Sequence, residues 1–212
     1  PQNKDLERKI PLQKKAQKIE DIKIDDVFDI RLLVYTQPQL TVGKKMPEFF
    51  ELGLGGKVQD KFEYAKQVMG KEIKVQDVLK EGMQVDIHAI TKGKGYQGPI
   101  KRFGIAIRHH KAEKTKRGPG SLGPWHGRTM ERVAHAGQMG YHQRMDLNKQ
   151  ILKIEEQSEK YNTTGGLVKY GFLKNTLIVL RGSIPGPKKR LITMTLSYRP
   201  NKYTPNQAPK IT

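Results

Sequence analysis

A basic segment of 53 residues, Lys92 to Arg144, constrains the fold of this chain more than any other feature of its sequence. The segment holds twelve Lys or Arg but only two acidic residues, and it contributes +10 of the formal net charge of +19. It also holds ten of the 21 glycines and the only tryptophan. A compact domain cannot bury so many like charges with so few apolar side chains. We therefore expect the segment to lie outside the core and to be ordered only by a polyanion.

The overall composition narrows the class of protein further. The chain has 212 residues, enough for one ordinary domain plus an extension, and its hydrophobic content of 35% predicts a modest core. A pI near 10.0 favours a nucleic acid over an acidic membrane surface as the partner. The absence of cysteine excludes disulfides and thiolate chemistry and is typical of an intracellular protein. No apolar run approaches the roughly 20 residues of a membrane span.

Local sequence patterns predict a mainly β protein around the basic segment. Strands are predicted at 27–35, 84–91, 151–154, 167–172, 176–181 and 191–196, and a short β run at 103–107. Helices are predicted at 59–69 and 75–79, and a long loop at 38–58. Asn175 suits a hairpin turn between two of these strands. Closely spaced strands joined by tight turns favour an antiparallel barrel or sandwich.

These elements divide the chain into five parts. They are a polar linker at 1–26, strands with a helical insertion (about 59–82) at 27–91, a basic glycine-rich extension at 92–146, further strands at 147–198, and a C-terminal tail at 199–212. The chain opens on Pro1 without a methionine, so we expect a fragment, a processed product or an incomplete chain.

Gly93 to Gly98 match the pattern G-x-G-x-x-G directly after a predicted strand. A dinucleotide site needs a helix next and an acidic residue about 20 positions later, and neither is predicted here. The glycines are better explained as sites where the backbone approaches phosphates closely, with Lys92, Lys94 and Lys101 neutralising the charge.

Catalytic and metal-binding patterns are weak. His109 and His110 are adjacent, and adjacent side chains on a helix or strand point in different directions, so one metal rarely uses both. We expect these histidines to stack on bases or contact phosphates, the alternative being a solvated loop. The serines lie in no nucleophile elbow, and no base oriented by a third group can be assembled. We predict no catalytic residue, no metal and no cofactor.

Trp125 lies in Gly-Pro-Trp-His-Gly, without apolar periodicity around it. A lone tryptophan is usually a core residue. Here the flanking glycines and proline favour an aromatic plate at a loop tip, able to stack on a base. Residues 136–144 (AGQMGYHQR) indicate tight backbone approach combined with side-chain hydrogen bonding. The basic segment contains several glycines and prolines and is connected to predicted strands at both ends. Such a segment fits the irregular cavities of looped RNA better than the regular groove of DNA.

Four stretches together resemble a known family: 90–104 (ITKGKGYQGPIKRFG), 120–130 (GSLGPWHGRTM), 134–144 (AHAGQMGYHQR) and 180–192 (LRGSIPGPKKRLI). They are similar to large-subunit ribosomal protein three in its archaeal and eukaryotic form. The resemblance implies a mainly β fold: a six-stranded, translation-protein-type antiparallel β-barrel with a small helical insertion and a long basic extension that penetrates RNA. The family's N-terminal part has no counterpart before Pro1.

The resemblance also implies a function. Family members bind large-subunit ribosomal RNA early in assembly, and the extension shapes the RNA around the peptidyl transferase centre, where the RNA performs catalysis. Trp125 matches the family's tip tryptophan, and Gln138 matches the glutamine of its AGQ(M/R)G loop. The implied partners are ribosomal RNA and neighbouring ribosomal proteins in the cytoplasmic ribosome, with no membrane and no small-molecule substrate.

Composition and resemblance together predict 24 RNA-binding residues. They are Lys92, Lys94, Tyr96, Lys101, Arg102, Arg108, His109, His110, Lys111, Lys114, Lys116, Arg117, Trp125, His126, Arg128, Arg132, His135, Gln138, Tyr141, His142, Arg144, Lys188, Lys189 and Arg190. One alternative is a non-ribosomal RNA chaperone or architectural nucleic-acid-binding protein. Another is an enzyme with a β-barrel body and a mobile basic lid.

Overall fold

The structure is a computed structural model that describes residues 6–11, 23–40, 44–111, 114–123, 126–127, 132–205 and 207–209. The chain forms two compact units. Unit 1 consists of Pro1–Val85, Asn148–Gly182 and Leu196–Thr212, and unit 2 consists of Asp86–Leu147 and Ser183–Thr195.

In the described ranges, eight strands and three α-helices make up the regular structure. The strands are β1 (Arg31–Tyr35), β2 (Phe49–Gly53), β3 (Gln84–Ile90), β4 (Gly95–Gln97), β5 (Gly137–Met139), β6 (Gln143–Glu155), β7 (Leu177–Leu180) and β8 (Thr193–Leu196). The helices are α1 (Val58–Val68), α2 (Val75–Val78) and α3 (Pro99–Phe103). Short 3-10 turns cover Leu6–Arg8, Ile24–Asp26, Pro38–Leu40 and Ser158–Tyr161.

The strands form three sheets. β1 pairs with β2, β4 pairs with β5, and a four-stranded sheet has the order β7-β6-β3-β8. The mainly β prediction is confirmed. Among the described residues, however, the sheets do not close into a barrel. Nor does any helix in the described ranges have the length and apolarity that crossing a membrane requires.

The buried core centres on β3, an interior strand of the larger sheet. Val85 and Ile87 are fully buried, Ala89 is 5% exposed, and the polar Gln84 and Asp86 of the same strand are also buried. Ile151 on the neighbouring β6 is also fully buried. The predicted helices at 59–69 and 75–79 and the strands at 84–91, 176–181 and 191–196 are confirmed to within a few residues. β6 begins eight residues before the predicted strand at 151–154.

The predicted loop at 38–58 is wrong because it contains β2. Pro47 and Gly53 indicated a loop, but Pro47 precedes the strand and Gly53 is its last residue, so neither interrupts it. Between them, Phe49 lies opposite Tyr35 and Phe50 lies opposite Val34 in the antiparallel pair. Aromatic and β-branched residues facing each other across two strands stabilise such a pair.

Two further strand predictions are wrong. Residues 103–107 do not form a β run: α3 starts at Pro99 and is capped by Gly104 in the left-handed region, whose N–H donates to the Ile100 carbonyl at 2.8 Å. Residues 167–172 form a tight turn with a single bridge between Leu167 and Gly171. Lys169 within that turn has a φ of 61°, which an extended strand does not allow.

The hairpin turn predicted at Asn175 is therefore also wrong. No strand lies in the described range between β6 and Asn175, and β7, which follows Asn175, pairs antiparallel with β6.

Two buried side-chain amides in unit 1 hold the C-terminal residues in place. Gln84 is 6% exposed; its Nε2 donates to the Asn201 carbonyl at 3.0 Å, and its Oε1 accepts from the Asn201 N–H at 2.8 Å. Gln150 is 4% exposed and donates to the Pro205 carbonyl at 2.8 Å. Each buried amide thus provides hydrogen-bond partners for main-chain groups of the C-terminal residues.

We predict that Gln84→Leu destabilises the chain by about 1–3 kcal/mol, because both bonded groups of Asn201 lose a buried partner. Urea unfolding followed by circular dichroism measures this free energy. The control is Gln207→Leu, the same change on an exposed glutamine, which should be nearly neutral. Equal effects of the two substitutions would contradict the role given to Gln84.

Candidate nucleic-acid interface

Unit 2 contains all 24 residues predicted to bind RNA. Its sequence carries fifteen Lys or Arg against four acidic residues, so most of the net charge of +19 belongs to this unit. Such a concentration of one sign of charge attracts polyanions and raises the rate of encounter with them. Trp125 and Arg128 lie outside the described residues, and the other 22 are described.

Exposure separates the described site residues into two groups. Nineteen are exposed to solvent: Lys92, Lys94, Tyr96, Lys101, His109, His110, Lys111, Lys114, Lys116, Arg117, His126, Arg132, His135, Gln138, Tyr141, His142, Arg144, Lys188 and Lys189. The remaining three, Arg102, Arg108 and Arg190, are half-buried. These three arginines share a further property, which is that each donates hydrogen bonds to main-chain carbonyls distant in sequence. We call them the brace arginines.

Arg102 connects α3 to β5. Its Nε donates to the Gln138 carbonyl at 3.2 Å and its Nη1 to the His135 carbonyl at 2.9 Å. Its guanidinium also lies over the Phe103 ring, 4.9 Å from the ring centre. A Cβ on Gly137 would lie 2.8 Å from Nη1, so a larger residue there would require the guanidinium to shift.

Arg190 connects the loop before β8 to the end of β3. Its Nη1 donates to the carbonyls of Ile90 (3.3 Å) and Thr91 (3.2 Å). The guanidinium lies 5.2 Å from the centre of the Tyr141 ring, within reach of a cation–π interaction. Gly186, at a φ of 102°, allows the loop to pass the Ile90 carbonyl, which a Cβ would meet at 2.8 Å.

Arg108 closes a loop whose sequence contains two of the five histidines and three of the six lysines of the basic segment. Its Nη2 donates to the carbonyls of Pro119 (2.7 Å) and Gly120 (3.0 Å). Its own N–H donates to the Lys116 carbonyl at 3.2 Å. A guanidinium can bond two carbonyls at once in a fixed geometry, whereas an ammonium on a flexible stem cannot.

The two ends of the basic segment meet at Gly140. A Cβ at this position would lie 2.0 Å from the Lys92 carbonyl oxygen, and the backbone has a φ of 75°. Beside it, Thr91 and His142 exchange two bonds: the Thr91 N–H donates to the His142 carbonyl at 2.9 Å, and the His142 N–H donates to Oγ1 of Thr91 at 3.2 Å. The tight backbone approach predicted for 136–144 is confirmed. Sequence reasoning missed Thr91, whose only signal is its place at the end of a predicted strand.

The β4–β5 hairpin displays Tyr96 directly opposite Gln138. Side chains of directly opposed residues project from the same face of an antiparallel pair. Tyr96 is 77% exposed, so its ring is open to a stacking partner. The Nε2 of Gln138 donates to the carbonyls of Met139 and Gly140, both at 3.2 Å, which holds its side chain against the turn.

The helix predicted to be absent after the G-x-G-x-x-G pattern is present as α3, so that part of the argument against a dinucleotide site is wrong. The helix has five residues, however, and β4 in front of it pairs antiparallel with β5. A dinucleotide fold instead joins two parallel strands through a longer helix. The required acidic residue about 20 positions later is also absent from the sequence.

The expectation that His109 and His110 point in different directions is wrong. Their ring centres lie 4.4 Å apart at an angle of 42°. The residues belong to neither a helix nor a strand, so the geometry assumed for adjacent side chains does not apply. In the described part of the chain, no group of three or more His, Cys, Asp or Glu is placed to hold a metal ion.

We predict that Gly140→Ala destabilises the chain by at least about 1–3 kcal/mol, because alanine is strained at this φ and its Cβ would overlap the Lys92 carbonyl. Gly120→Ala is the matched control, since its Cβ would meet no atom within 4 Å. Thermal unfolding compares the two variants. Equal melting temperatures would contradict the close approach at Gly140.

We predict that Arg102→Lys, which keeps the charge, lowers stability by about 1–2 kcal/mol because two hydrogen bonds to carbonyls are lost. The neighbouring change Lys101→Arg, at an exposed position on the same helix, should have little effect. Urea unfolding of both variants measures the difference. A fully stable Arg102→Lys variant would mean that only the charge of Arg102 matters.

Comparison with known proteins identifies one family. The family model described as Ribosomal protein L3 matches residues 2–212 of the chain. Among curated proteins, the large ribosomal subunit protein uL3 of Methanosphaera stadtmanae is 52% identical over 207 residues, covering 92% of this chain and 61% of that protein. The uL3 of Methanothermobacter thermautotrophicus is 50% identical over 180 residues, covering 82% of this chain and 53% of that protein.

A third relative has a lower sequence identity to this chain. The uL3 of Methanocaldococcus jannaschii is 43% identical over 209 residues, which cover 94% of this chain and 62% of that protein. The chain thus spans between about half and two thirds of the length of the curated relatives it matches.

Proposed function

The chain belongs to the ribosomal protein L3 family, and from this we propose that it is a structural constituent of the large ribosomal subunit that binds large-subunit ribosomal RNA through unit 2. The proposal rests on the division of the described site residues into exposed side chains and half-buried brace arginines. Nineteen exposed side chains, most of them basic or aromatic, surround a backbone that the three brace arginines hold.

The exposed lysines neutralise phosphates in this proposal. Lys92, Lys94 and Lys101 flank Gly95 and Gly98, and a Cβ on either glycine would meet nothing within 4 Å. The backbone there is open to close approach by a ligand, as the glycine pattern suggested. Each phosphate neutralised releases condensed counterions, which makes binding tight at low salt and strongly salt-dependent.

The brace arginines lower the entropy cost of binding. A loop that is already held in one conformation loses less freedom when it meets RNA than a disordered loop does. The hydrogen bonds of Arg102, Arg108 and Arg190 hold the carbonyls of several turns in place.

The finer roles follow from the family resemblance. We propose that the loop around Trp125 reaches toward the peptidyl transferase centre, that Gln138 and Tyr96 contact RNA near it, and that binding supports early subunit assembly. The chain then acts in the cytoplasmic ribosome beside other ribosomal proteins. It shapes RNA and is not itself an enzyme.

We also propose that its strands belong to a translation-type β-barrel, with 92–146 as the RNA-penetrating extension.

We predict that the full chain binds a transcript of archaeal large-subunit ribosomal RNA with a steep salt dependence. Lys101→Gln should reduce the slope of log affinity against log salt by roughly 0.7–0.9, the contribution of one neutralised phosphate. Lys71→Gln, on an exposed lysine of unit 1, is the control and should leave the slope unchanged. Filter binding over a series of salt concentrations measures both.

Two outcomes would count against the proposal. Equal slopes for the two lysine variants would mean that unit 2 is not the interface. Equally tight binding to unrelated transcripts of the same length would favour the RNA chaperone, which contacts many RNAs through charge alone.

A further inference from the structure

A second basic region lies outside the predicted site. Residues 160–212 contain ten Lys or Arg and no acidic residue, because the last acidic residue of the chain is Glu159. Seven of these ten cations belong to unit 1. The rest of unit 1 is nearly balanced in charge, with eighteen basic and seventeen acidic residues. The charge excess of unit 1 is therefore concentrated in its C-terminal third.

Two of the most exposed aromatic side chains of the described residues lie in this region. Tyr198 is 86% exposed and Tyr203 is 96% exposed. Arg199 and Lys202 are exposed between them, and the guanidinium of Arg199 lies 5.8 Å from the centre of the Tyr198 ring. We call Tyr198, Arg199, Lys202 and Tyr203 the C-terminal platform.

The backbone beneath the platform is held from several sides. The buried amide of Gln84 bonds both main-chain groups of Asn201, in the middle of the platform. The side chain of Asn201 accepts from the Tyr203 N–H at 3.0 Å, and the Ser197 N–H donates to the Gln84 carbonyl at 3.1 Å. A segment that extends its aromatic rings into solvent while its backbone is tied to a buried strand has the properties of a preformed binding surface.

We propose that the C-terminal platform binds RNA, by stacking Tyr198 and Tyr203 on unpaired bases while Arg199 and Lys202 contact the adjacent phosphates. Aromatic rings interleaved with cations in a stretch of sequence without acidic residues fit single-stranded or looped RNA, because every base offers a face for stacking. The platform belongs to unit 1 and so adds a second contact to the interface of unit 2. The inference rests on the proposed function.

The test uses the full chain and a transcript of archaeal large-subunit ribosomal RNA. The double variant Tyr198→Leu/Tyr203→Leu should bind at least about tenfold more weakly, since one stacked base contributes about that factor or more. Its salt slope should not change, because no phosphate contact is removed. The variant Tyr198→Phe/Tyr203→Phe keeps both rings and should bind within about twofold of the unchanged chain.

Phe28→Leu is the matched control. Phe28 is 98% exposed, like the two tyrosines, but its sequence neighbours include Asp25, Asp26 and Asp29. Loss of this ring should leave RNA affinity unchanged if stacking requires the basic surroundings of the platform.

The outcomes separate the two proposals. If the unchanged chain binds the transcript weakly and without salt dependence, the proposed function fails. If it binds tightly and the double leucine variant binds equally well, only the platform fails. Unchanged RNA affinity combined with loss of the variant from reconstituted subunits would assign the platform to a protein partner and would overturn the inference.

A second measurement covers the case in which the leucine variant does not fold. Ultraviolet crosslinking of the unchanged chain to the transcript, followed by mass spectrometry, should give crosslinked peptides that contain Tyr198 or Tyr203. Crosslinks confined to peptides of unit 2 would overturn the inference.

Discussion

Hydrogen bonds from arginine side chains to main-chain carbonyls are the interaction on which unit 2 depends. This unit is too polar to be held by a hydrophobic core: Ile87, Ala89 and Pro99 are its only buried apolar residues among those the structure describes. Arg102, Arg108 and Arg190 each reach two carbonyls and so connect separate turns of the unit. These bonds add to the pairing of β4 with β5 and to the two bonds between Thr91 and His142. In unit 2, hydrogen bonds between polar groups therefore take the place of buried apolar surface as the main source of stability.

Arginine suits this role in a protein that meets a polyanion. Its guanidinium has five donors in a rigid plane, so it can bond two carbonyls and still offer an N–H to a phosphate. Its charge also adds to the positive field of the unit. The same three residues therefore stabilise the loops and add to the positive charge of the unit, whereas the exposed lysines mainly contribute charge. Glycines at 137, 140 and 186 make these contacts possible, because a Cβ at each would lie within 3 Å of the atoms it faces.

Local patterns predicted the elements whose partners lie nearby in sequence or whose apolar periodicity is strong. β3 and α1, predicted at 84–91 and 59–69, are present to within one residue at either end. The predictions failed where long-range pairing decides the structure. β2 forms because β1 is available to pair with it, and 167–172 does not form a strand because its backbone turns back through left-handed residues.

The candidate site was predictable in composition but not in the roles of its residues. The basic segment and its aromatic residues are visible in the sequence, and the family resemblance directed attention to Trp125 and Gln138. The division between exposed cations and brace arginines was not visible. The carbonyls that Arg102 and Arg190 contact lie 33 to 100 residues away, and no local pattern identifies them. The expectation that the basic segment is ordered only by a polyanion was likewise made without knowledge of these distant hydrogen-bond partners.

Amide hydrogen exchange on the free chain, without RNA, tests the central claim most directly. If the segment is held by its own hydrogen bonds, the N–H groups of Thr91, Lys94 and Gly104 should be protected, since each donates to a carbonyl within unit 2. Protection at Lys94, which bonds the Met139 carbonyl, should fall in an Arg102→Lys variant because the strand that carries this carbonyl is released. Exchange of all residues from 92 to 144 at the rate of an unstructured peptide would contradict the account and assign their order to RNA alone.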